Sequence, residues 1–280
     1  MLNIKQFSDR VQNKILWLYN RKLPEFQQDF LSMLQFRWLL HFGSKPMEIT
    51  QKSAMIISPH QDDEVLGCGG VIGLKREQKI PVQVVFVTDG AASHSWHPNF
   101  KSGEIVPVRR DEALTALSIL GVDASQIHFL DNPDSKLLFL NETERQKIIA
   151  KLAQILQSFQ PQEVYVPHRK DRTKDHEATY ELVQEAIILS GLEVELLEYP
   201  IWILWHSRLF RDLQLHELSS AYHLSINPII DKKKQAIAAY HSQYTPIDMH
   251  SSPILKPAFL KRFFLPYEVF FRHNYSENKH

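Results

Sequence analysis

Cysteine is almost absent from this sequence: Cys68 is the only one among 280 residues. A single thiol excludes an internal disulfide framework and any zinc site built from several cysteines. An excess of one charge is also missing, because lysine plus arginine and aspartate plus glutamate each total 32. Proteins that bind nucleic acid by neutralising its phosphates usually carry a basic excess. We therefore expect no nucleic-acid partner.

Long apolar runs are missing as well. No stretch reaches the roughly 18 apolar residues that a transmembrane helix requires, so we expect no integral membrane segment. Near the N-terminus, charges at Lys5, Asp9, Arg10 and Lys14 interrupt the apolar region that a secretory signal needs. These absences favour a cytoplasmic protein.

The feature that is present is an alternation of strand and helix patterns. Short apolar runs predict strands, and longer segments of helical periodicity predict helices between them. The predicted strands are 54–58, 82–88, 126–130, 163–167 and 193–199. The predicted helices are 64–78, 107–120, 141–159 and 175–190. This alternation predicts an α/β fold with a mostly parallel sheet flanked by helices.

Both ends of the chain depart from this pattern. Residues 1–50 contain two apolar segments of helical spacing separated by Pro24, which predicts an N-terminal helical extension. We expect residues 51–280 to form a single α/β domain. A further helix is predicted at 228–243, and the segment 253–273, rich in phenylalanine and proline, is expected to wrap the core.

A polar turn follows the first predicted strand, at the sheet edge where open α/β proteins bind ligands. His60 and Asp63 lie three residues apart in this turn and can converge on one cation. Zinc accepts both ligand types. Asp62 then lies beside the metal without binding it and can take a proton from a metal-bound water. The alternative is a polar turn in which Asp62 or Asp63 caps the next helix.

A second cluster of histidine and aspartate follows the fourth predicted strand, at residues 168–176. Parallel strands place both clusters at the same edge of the sheet. His176 would complete a His-Asp-His set and leave one coordination position open, as catalytic zinc sites do. Asp175 could orient a neighbouring ligand. The alternatives are a solvent-facing histidine and an aspartate that caps the helix.

These residues resemble the motifs of a known family. The segment 60–64, HQDDE, resembles the PHPDDE signature of the PIG-L/LmbE-like N-acetylglucosaminyl deacetylases, and 171–176 resembles their DxHxDH element. Four supporting matches are the TDG turn at 88–90, the RxxE…LGV helix at 109–122, the aspartate-bearing turn at 132–135 and the KxxA…SQ element at 233–243.

The resemblance implies a Rossmann-like fold, and it implies a zinc-dependent hydrolase that removes acetyl from an N-acetylglucosamine-type sugar conjugate. Another divalent metal suits the same donor types. Arg109 and Asp134 would hydrogen-bond the sugar. The implied zinc ligands are His60, Asp63 and His176. The implied catalytic residues are Asp62 as general base, Asp175 and Thr173.

Two positions depart from the family pattern. Gln61 replaces the usual proline, which we expect to affect little beyond the stiffness of the turn. Thr173 replaces a histidine that helps to stabilise the oxyanion in many members. A threonine hydroxyl can donate one hydrogen bond but carries no charge. His168 or Arg172 could substitute for that histidine.

Several alternatives remain open at this level. The substrate could instead be another amide, such as a thiol-sugar conjugate or a natural product, or the chain could be a non-catalytic binding module. The loop 90–106 could be a substrate lid or an exposed loop. Trp202 and Trp205 could be core residues or a sugar platform. Residues 1–50 could cap the sheet or pair with another subunit, so a homo-oligomer is a further candidate.

Overall fold

A computed structural model describes residues 23–101, 103–206, 212–213, 215–249 and 251–272. Within these residues, eight strands form one sheet. The strands are β1 (Lys45–Met47), β2 (Ala54–Ser58), β3 (Val82–Thr88), β4 (Ile127–Asn132), β5 (Glu163–Pro167), β6 (Glu195–Tyr199), β7 (Ala221–Ser225) and β8 (Tyr267–Arg272).

The α-helices surround this sheet. They are α1 (Leu23–Trp38), α2 (Asp63–Glu77), α3 (Ile105–Ile119), α4 (Glu142–Phe159), α5 (Lys174–Ser190), α6 (Ile203–His206), α7 (Leu215–Leu218), α8 (Ile230–Ala239), α9 (His241–Tyr244) and α10 (Pro257–Leu260). Local signals in the sequence fix several ends. Asn141 and Glu144 form a reciprocal capping box at the start of α4. Gly121 follows α3 with a φ of 84°, a conformation in which glycine pays no steric cost.

The sheet order is β1-β7-β8-β6-β5-β2-β3-β4. Only β8 runs antiparallel to its neighbours among the described strands, and the other pairs are parallel. Alternate residues of β2 face opposite layers: Ala54 and Ile56 join the core beneath α2, α3 and α8, whereas Met55 and Ile57 join the core beneath α4 and α5. The prediction of an α/β fold with a mostly parallel sheet flanked by helices is confirmed.

The sequence patterns did not predict strands β1 and β8, which lie in the half of the sheet beyond β6. Residues 45–47 lie in a region predicted to be helical, yet they form β1 and pair with β7. The tail predicted to wrap the core supplies β8, which lies inside the sheet between β6 and β7. Part of the predicted N-terminal extension, residues 1–22, lies outside the described residues. The domain boundary at residue 50 remains a prediction.

A buried ion pair explains Gly70 of α2 and the lysine of the KxxA element. The Glu268 carboxylate accepts hydrogen bonds from the backbone N–H groups of Gly70 (2.5 Å) and Val71 (2.9 Å), inside the helix. Lys233 Nζ donates to Glu268 Oε1 at 2.6 Å and to the Leu66 carbonyl at 2.9 Å. A Cβ at position 70 would lie 2.8 Å from the Glu268 carboxyl carbon, so this close approach requires glycine.

The topology also indicates where a ligand site belongs. From β2 the chain continues to β3 and β4 on one side, and then crosses to β5 and β6 on the other. Open α/β sheets bind ligands at the carboxyl ends of the strands at such a reversal. In the described part of the chain, no helix is long and apolar enough to cross a membrane.

Candidate metal centre

The turn after β2 is held in place by the end of β3. The Thr88 hydroxyl and backbone N–H both donate to the Pro59 carbonyl, at 2.8 and 3.0 Å. The Gln61 side chain donates to the Thr88 carbonyl at 2.9 Å. Gly90 has a φ of 71°, and a Cβ there would overlap Gln61 Oε1 and the Arg109 guanidinium. The glutamine that replaces the family's proline therefore fastens the turn to β3.

The three predicted metal ligands converge across the β2–β5 boundary. His60 Nδ1 and His176 Nε2 lie 3.2 and 3.1 Å from the same oxygen, Asp63 Oδ2. His176 Nε2 is buried and makes no hydrogen bond within the described residues. The ligand atoms of the three side chains lie within 4.8 Å of one another. Two imidazole nitrogens and a carboxylate are donors that zinc accepts, so the residues present fit a metal ion.

The second ring nitrogen of each imidazole, the one that faces away from Asp63, lies close to at least one carboxylate. His60 Nε2 lies 3.2 Å from Asp134 Oδ1 and 3.3 Å from Asp175 Oδ2. His176 Nδ1 lies 2.7 Å from Asp171 Oδ2. Metal-binding histidines commonly donate their second ring N–H to a carboxylate, which fixes the tautomer and the ring orientation. This arrangement suits binding of a cation by His60 Nδ1 and His176 Nε2.

The electrostatics of the cluster favour positive charge. Burial opposes protonation of His176, but Asp63 and Asp171 outweigh it and raise the pKa of the imidazole to about 9. The pKa of His60 is likewise raised, against burial, by Asp134, Asp175 and Asp63. The carboxylates that stabilise two imidazolium ions would stabilise a divalent cation in their place.

Asp171 links the metal centre to the loop after β6. Its Oδ1 accepts three consecutive backbone N–H groups, from Ile201, Trp202 and Ile203, at 2.9 to 3.0 Å. Its Oδ2 accepts from His176, as described above. Asp171 is the first residue of the DxHxDH motif, but the sequence predicted no role for it. The available signal was its position five residues before the metal ligand His176 in the same motif.

Asp171→Asn is expected to weaken metal binding about 10–100-fold. If the asparagine carbonyl keeps the three backbone N–H groups, its amide faces His176 Nδ1 with a donor instead of an acceptor. The measurement is competition for the metal with a chelator of known affinity. Glu177→Gln provides the control, because the hydrogen bond that the Glu177 carboxylate accepts within the described residues comes from a backbone N–H of the same turn, that of Arg172, at 3.3 Å. Equal metal affinity in both variants would contradict the role given to Asp171.

Asp62 lies beside the three ligands in an unusual backbone conformation. Its φ is 131°, a region that residues other than glycine rarely adopt and that often marks functional sites. Burial raises the pKa of its carboxyl to about 7, although the nearby Arg109 opposes this effect. Arg109 Nη2 lies 3.5 Å from Asp62 Oδ1. Asp62 is therefore a carboxylate whose protonation changes near neutral pH.

Arg109 and Asp134, the predicted sugar contacts, are both occupied by protein groups. The Arg109 guanidinium donates to the carbonyls of Gly90 and Gln61. Asp134 Oδ2 accepts the Ala92 N–H at 2.9 Å, and its Oδ1 lies beside His60. A guanidinium has five N–H donors and a carboxylate about four acceptor sites. Both side chains therefore keep capacity for a ligand.

The supporting motifs build the walls behind Asp62. Glu64 Oε2 accepts the Asp62 backbone N–H at 3.0 Å, and the Tyr240 hydroxyl donates to Glu64 Oε1. Ser242 donates its N–H and its hydroxyl to the two carboxylate oxygens of Glu112, each at 2.7 Å. The KxxA…SQ element thereby joins α2 to the RxxE helix α3. These contacts are structural, and they fix the position of the turn.

Thr173 faces the metal cavity, while its proposed substitutes do not. The Thr173 hydroxyl oxygen is buried and has no hydrogen-bond partner within the described residues. The side chain lines the cavity next to His176. His168 is fully buried behind β5, with its ring packed edge-on against Phe271, and Arg172 is exposed. Neither of these two residues lines the cavity.

The cavity over the metal centre has a volume of about 230 Å³. Part of its wall comes from the loop after β3, because Ala92 and Ser93 line it and the neighbouring His94 is buried. This part of the loop 90–106 is therefore a wall of the site. Sequence reasoning missed several lining residues, which come from distant segments without a recognisable pattern. They are Ile201, Ile254 and Leu255.

Comparison with known proteins identifies related sequences. The PIG-L family, described as GlcNAc-PI de-N-acetylase, matches residues 55–187. A 4-oxalmesaconate hydratase of Pseudomonas putida is 31% identical over 156 residues, which are 54% of this chain and 57% of the hydratase. A diacetylchitobiose deacetylase of Thermococcus kodakarensis is 26% identical over 239 residues, 81% of each chain.

A solved structure shares the fold. The diacetylchitobiose deacetylase of Pyrococcus horikoshii, complexed with an inhibitor, superposes with a TM-score of 0.54 at 23% identity and covers 69% of this chain and 70% of its own. At this identity the likeness concerns the fold alone. The matched segment 55–187 contains the metal-ligand candidates of both sequence motifs. The resemblance of this chain to the PIG-L/LmbE-like N-acetylglucosaminyl deacetylases is confirmed, and the family model matches it over residues 55–187.

Proposed function

We propose that the protein is a zinc-dependent hydrolase that removes the acetyl group from an N-acetylglucosamine-type sugar conjugate. The observation that carries this proposal is the convergence of the His60, Asp63 and His176 ligand atoms, in which the buried His176 Nε2 and His60 Nδ1 both face Asp63 Oδ2. The family resemblance supplies the reaction class, and the carboxylate of Asp62 beside the cluster supplies the base.

His60, Asp63 and His176 would hold the metal. A bound zinc ion would polarise the amide carbonyl and lower the pKa of a coordinated water to about 7. Asp134 and Asp175 would fix the His60 ring, and Asp171 would fix the His176 ring, through the contacts described above. Asp175 is thus a positioning residue in this proposal, because its oxygens accept the backbone N–H groups of Ser135 and Leu137.

Asp62 would accept the proton of the attacking water at a carboxylate oxygen and later give it to the leaving amine. Proton return matters because an amine leaves poorly as an anion. A pKa near 7 suits a group that acts first as base and then as acid. Arg109, at 3.5 Å, would stabilise the carboxylate form of Asp62 before the proton is accepted and after it is returned. Arg109 and Asp134 would also hydrogen-bond sugar hydroxyl groups from the cavity wall.

Thr173→Val is expected to lower kcat about 10²-fold, on the scale of losing one oxyanion donor. The hydroxyl would donate to the carbonyl oxygen as negative charge develops. Because the Thr173 hydroxyl oxygen has no hydrogen-bond partner among the described residues, its removal is expected to leave the free energy of unfolding unchanged or higher. Steady-state acetate release and thermal unfolding measure the two effects.

Thr179→Val is the matched control. Thr179 lies in the helix that begins directly after Thr173, and its hydroxyl is also buried with no hydrogen-bond partner among the described residues. We expect this variant to retain full activity, because Thr179 does not line the cavity. Thr173→Ser is expected to retain most activity. If Thr173→Val were as active as the unaltered protein, the oxyanion assignment would be wrong.

Hydration of a carbon–carbon double bond is a second candidate, favoured by the 31% identity to a hydratase of a carboxylate substrate. The charge of the cavity argues against it. Among the described residues, Arg109 is the only guanidinium or ammonium group that lines the cavity, whereas Asp62, Asp63 and Asp134 are carboxylates. A bound zinc ion would offset two of these negative charges, which leaves Arg109 as the one further cationic side chain for the several carboxylates of such a substrate. A neutral acetamido sugar requires no such pairing.

The test of the proposed function combines metal analysis with an activity panel. We expect about one zinc per chain, and acetate release from N-acetylglucosamine conjugates that stops when a chelator removes the metal and resumes when zinc is added. Hydration of an unsaturated dicarboxylate without acetate release would favour the second candidate. A metal-free protein that is active on neither substrate class would contradict both.

A further inference from the structure

A second cavity adjoins the metal cavity. Its volume is about 270 Å³, and it shares two wall residues, Trp202 and Ile254, with the metal cavity. The shared residues make the two cavities direct neighbours. The remaining lining residues are Gln28, Asp29, Trp205, Lys256 and Phe259.

The floor of the second cavity is an aromatic stack. The Trp202 and Phe259 rings lie nearly parallel with centroids 4.2 Å apart, and Trp205 meets Phe259 edge-on at 5.5 Å. Phe259 is buried, whereas both tryptophans are half-buried. The two tryptophans thus contact the core with one part of their surface and line the cavity with another.

Hydrogen bonds fix this floor to the metal centre. Asp171 accepts the N–H groups at the start of α6, including that of Trp202, and also orients His176. Arg262 donates to the Ile201 carbonyl, and its guanidinium lies 4.3 Å from the Phe259 ring centroid. The aromatic surface is therefore preformed next to the candidate metal ligands, which lowers the entropy cost of binding.

Helix α1 supplies the opposite wall. Gln28 Nε2 donates to the Trp205 carbonyl at 3.3 Å and ties α1 to α6. Gln28 and Asp29 precede residue 55, where the family match begins. The other five lining residues follow residue 187, where the match ends, so all seven lie outside the matched family segment.

We propose that the second cavity binds the aglycone of the substrate, a flat aromatic group joined to the amino sugar whose acetamido group enters the metal cavity. This inference rests on the proposed function. Pockets that enclose organic ligands usually measure about 300–1,000 Å³. The metal cavity alone is smaller than this range, whereas the two cavities together fall within it. Stacking on Trp202 and Trp205 favours a planar apolar group.

The test compares the phenyl and methyl glycosides of N-acetylglucosamine, each in both anomeric forms. Binding is measured by titration calorimetry with the zinc-loaded Asp62→Asn protein, in which hydrolysis is suppressed. We expect the phenyl glycoside of one anomer to bind about 10–100-fold more tightly than its methyl counterpart, since a buried aromatic ring contributes on this scale. In the unaltered enzyme, kcat/KM is expected to show the same preference.

Two variants remove the preference by different means. Trp205→Ala deletes part of the aromatic floor. Gln28→Trp fills the cavity from the α1 side and keeps all three aromatic side chains of the floor, although it removes the hydrogen bond to the Trp205 carbonyl. We expect both to bring the phenyl glycoside to the affinity of the methyl glycoside, with binding of the methyl glycoside unchanged. Phe42→Ala is the control, because Phe42 is an aromatic residue that is 79% exposed and lines neither cavity.

The outcomes separate this inference from the proposed function. Equal affinity for the two glycosides, or no measurable binding of either, overturns the aglycone assignment even when acetate is released. A phenyl preference that both variants abolish supports it, whether or not the unaltered enzyme releases acetate. Absence of acetate release from every conjugate instead contradicts the proposed function.

Discussion

Asp62→Asn is expected to lower kcat for acetate release about 10²–10⁴-fold, the usual range for loss of a general base. Asparagine has the size of aspartate but cannot take the proton of the attacking water. It also tolerates positive φ better than most residues, so the φ of 131° at this position is retained. We therefore expect zinc to remain bound. Rate measurements and metal analysis of the purified variant check both expectations.

Asp131→Asn is the matched control for this substitution. Asp131 also has a positive φ, 53°, but its carboxylate is exposed and pairs with Arg110 at 2.6 Å on the surface. We expect that variant to retain full activity. An Asp62→Asn protein that binds zinc and remains fully active would contradict the base assignment, and absence of activity in every form would favour a non-catalytic binding module.

The pH profile gives a second readout for Asp62. The base must be ionised, so kcat/KM falls as the pH drops through its pKa. Burial raises that pKa to about 7 in the metal-free protein, and a bound divalent cation favours the ionised form and lowers it. We expect an acidic limb below pH 7 that is missing from the residual activity of Asp62→Asn. An acidic limb that persists unchanged in the variant would assign the titration to another group.

The convergence of the metal-ligand candidates could be predicted because it depends on local signals. His60 and Asp63 lie within one turn, His176 follows a second strand, and parallel strands bring both turns to one edge. The PIG-L/LmbE motif resemblance pointed to the same residues. Each of these steps uses short-range sequence information and one topological rule.

The features that the sequence did not predict share a different cause, because they depend on contacts between distant segments of the chain. β8 contains Glu268, which in the sequence is only one acidic residue in an aromatic tail. Its carboxylate nevertheless accepts hydrogen bonds from the backbone of α2 and from Lys233. Likewise, Trp202 reaches the site because Asp171 holds its backbone. Such contacts join segments more than 30 residues apart and leave no periodicity. The aromatic residues of the tail therefore indicated packing without indicating a strand.

His176→Ala is expected to abolish stable metal binding and, with it, acetate release. Two clusters share His60: one adds Asp63 and His176, and the other adds Asp134 and Asp175. Asp175 already accepts two backbone N–H groups, from Ser135 and Leu137. The nitrogen His176 Nε2 has no hydrogen bond among the described residues. We therefore expect a cation to bind more tightly at the cluster that contains His176. Asp134 and Asp175 of the second cluster then orient the His60 ring.

Thermal unfolding with and without zinc measures the loss of metal binding in His176→Ala without relying on activity. A ligand at 100 times its Kd stabilises the folded state by about 2.7 kcal/mol, so zinc is expected to raise the Tm of the unaltered protein but not that of His176→Ala. The control is His128→Ala, since His128 is a half-buried histidine of the same sheet that contacts Gln83 at 3.0 Å. Zinc is expected to stabilise this variant fully. If zinc still stabilised His176→Ala, while Asp134→Asn lost the effect, the metal would belong on the Nε2 side of His60, and the general base would have to be sought away from Asp62.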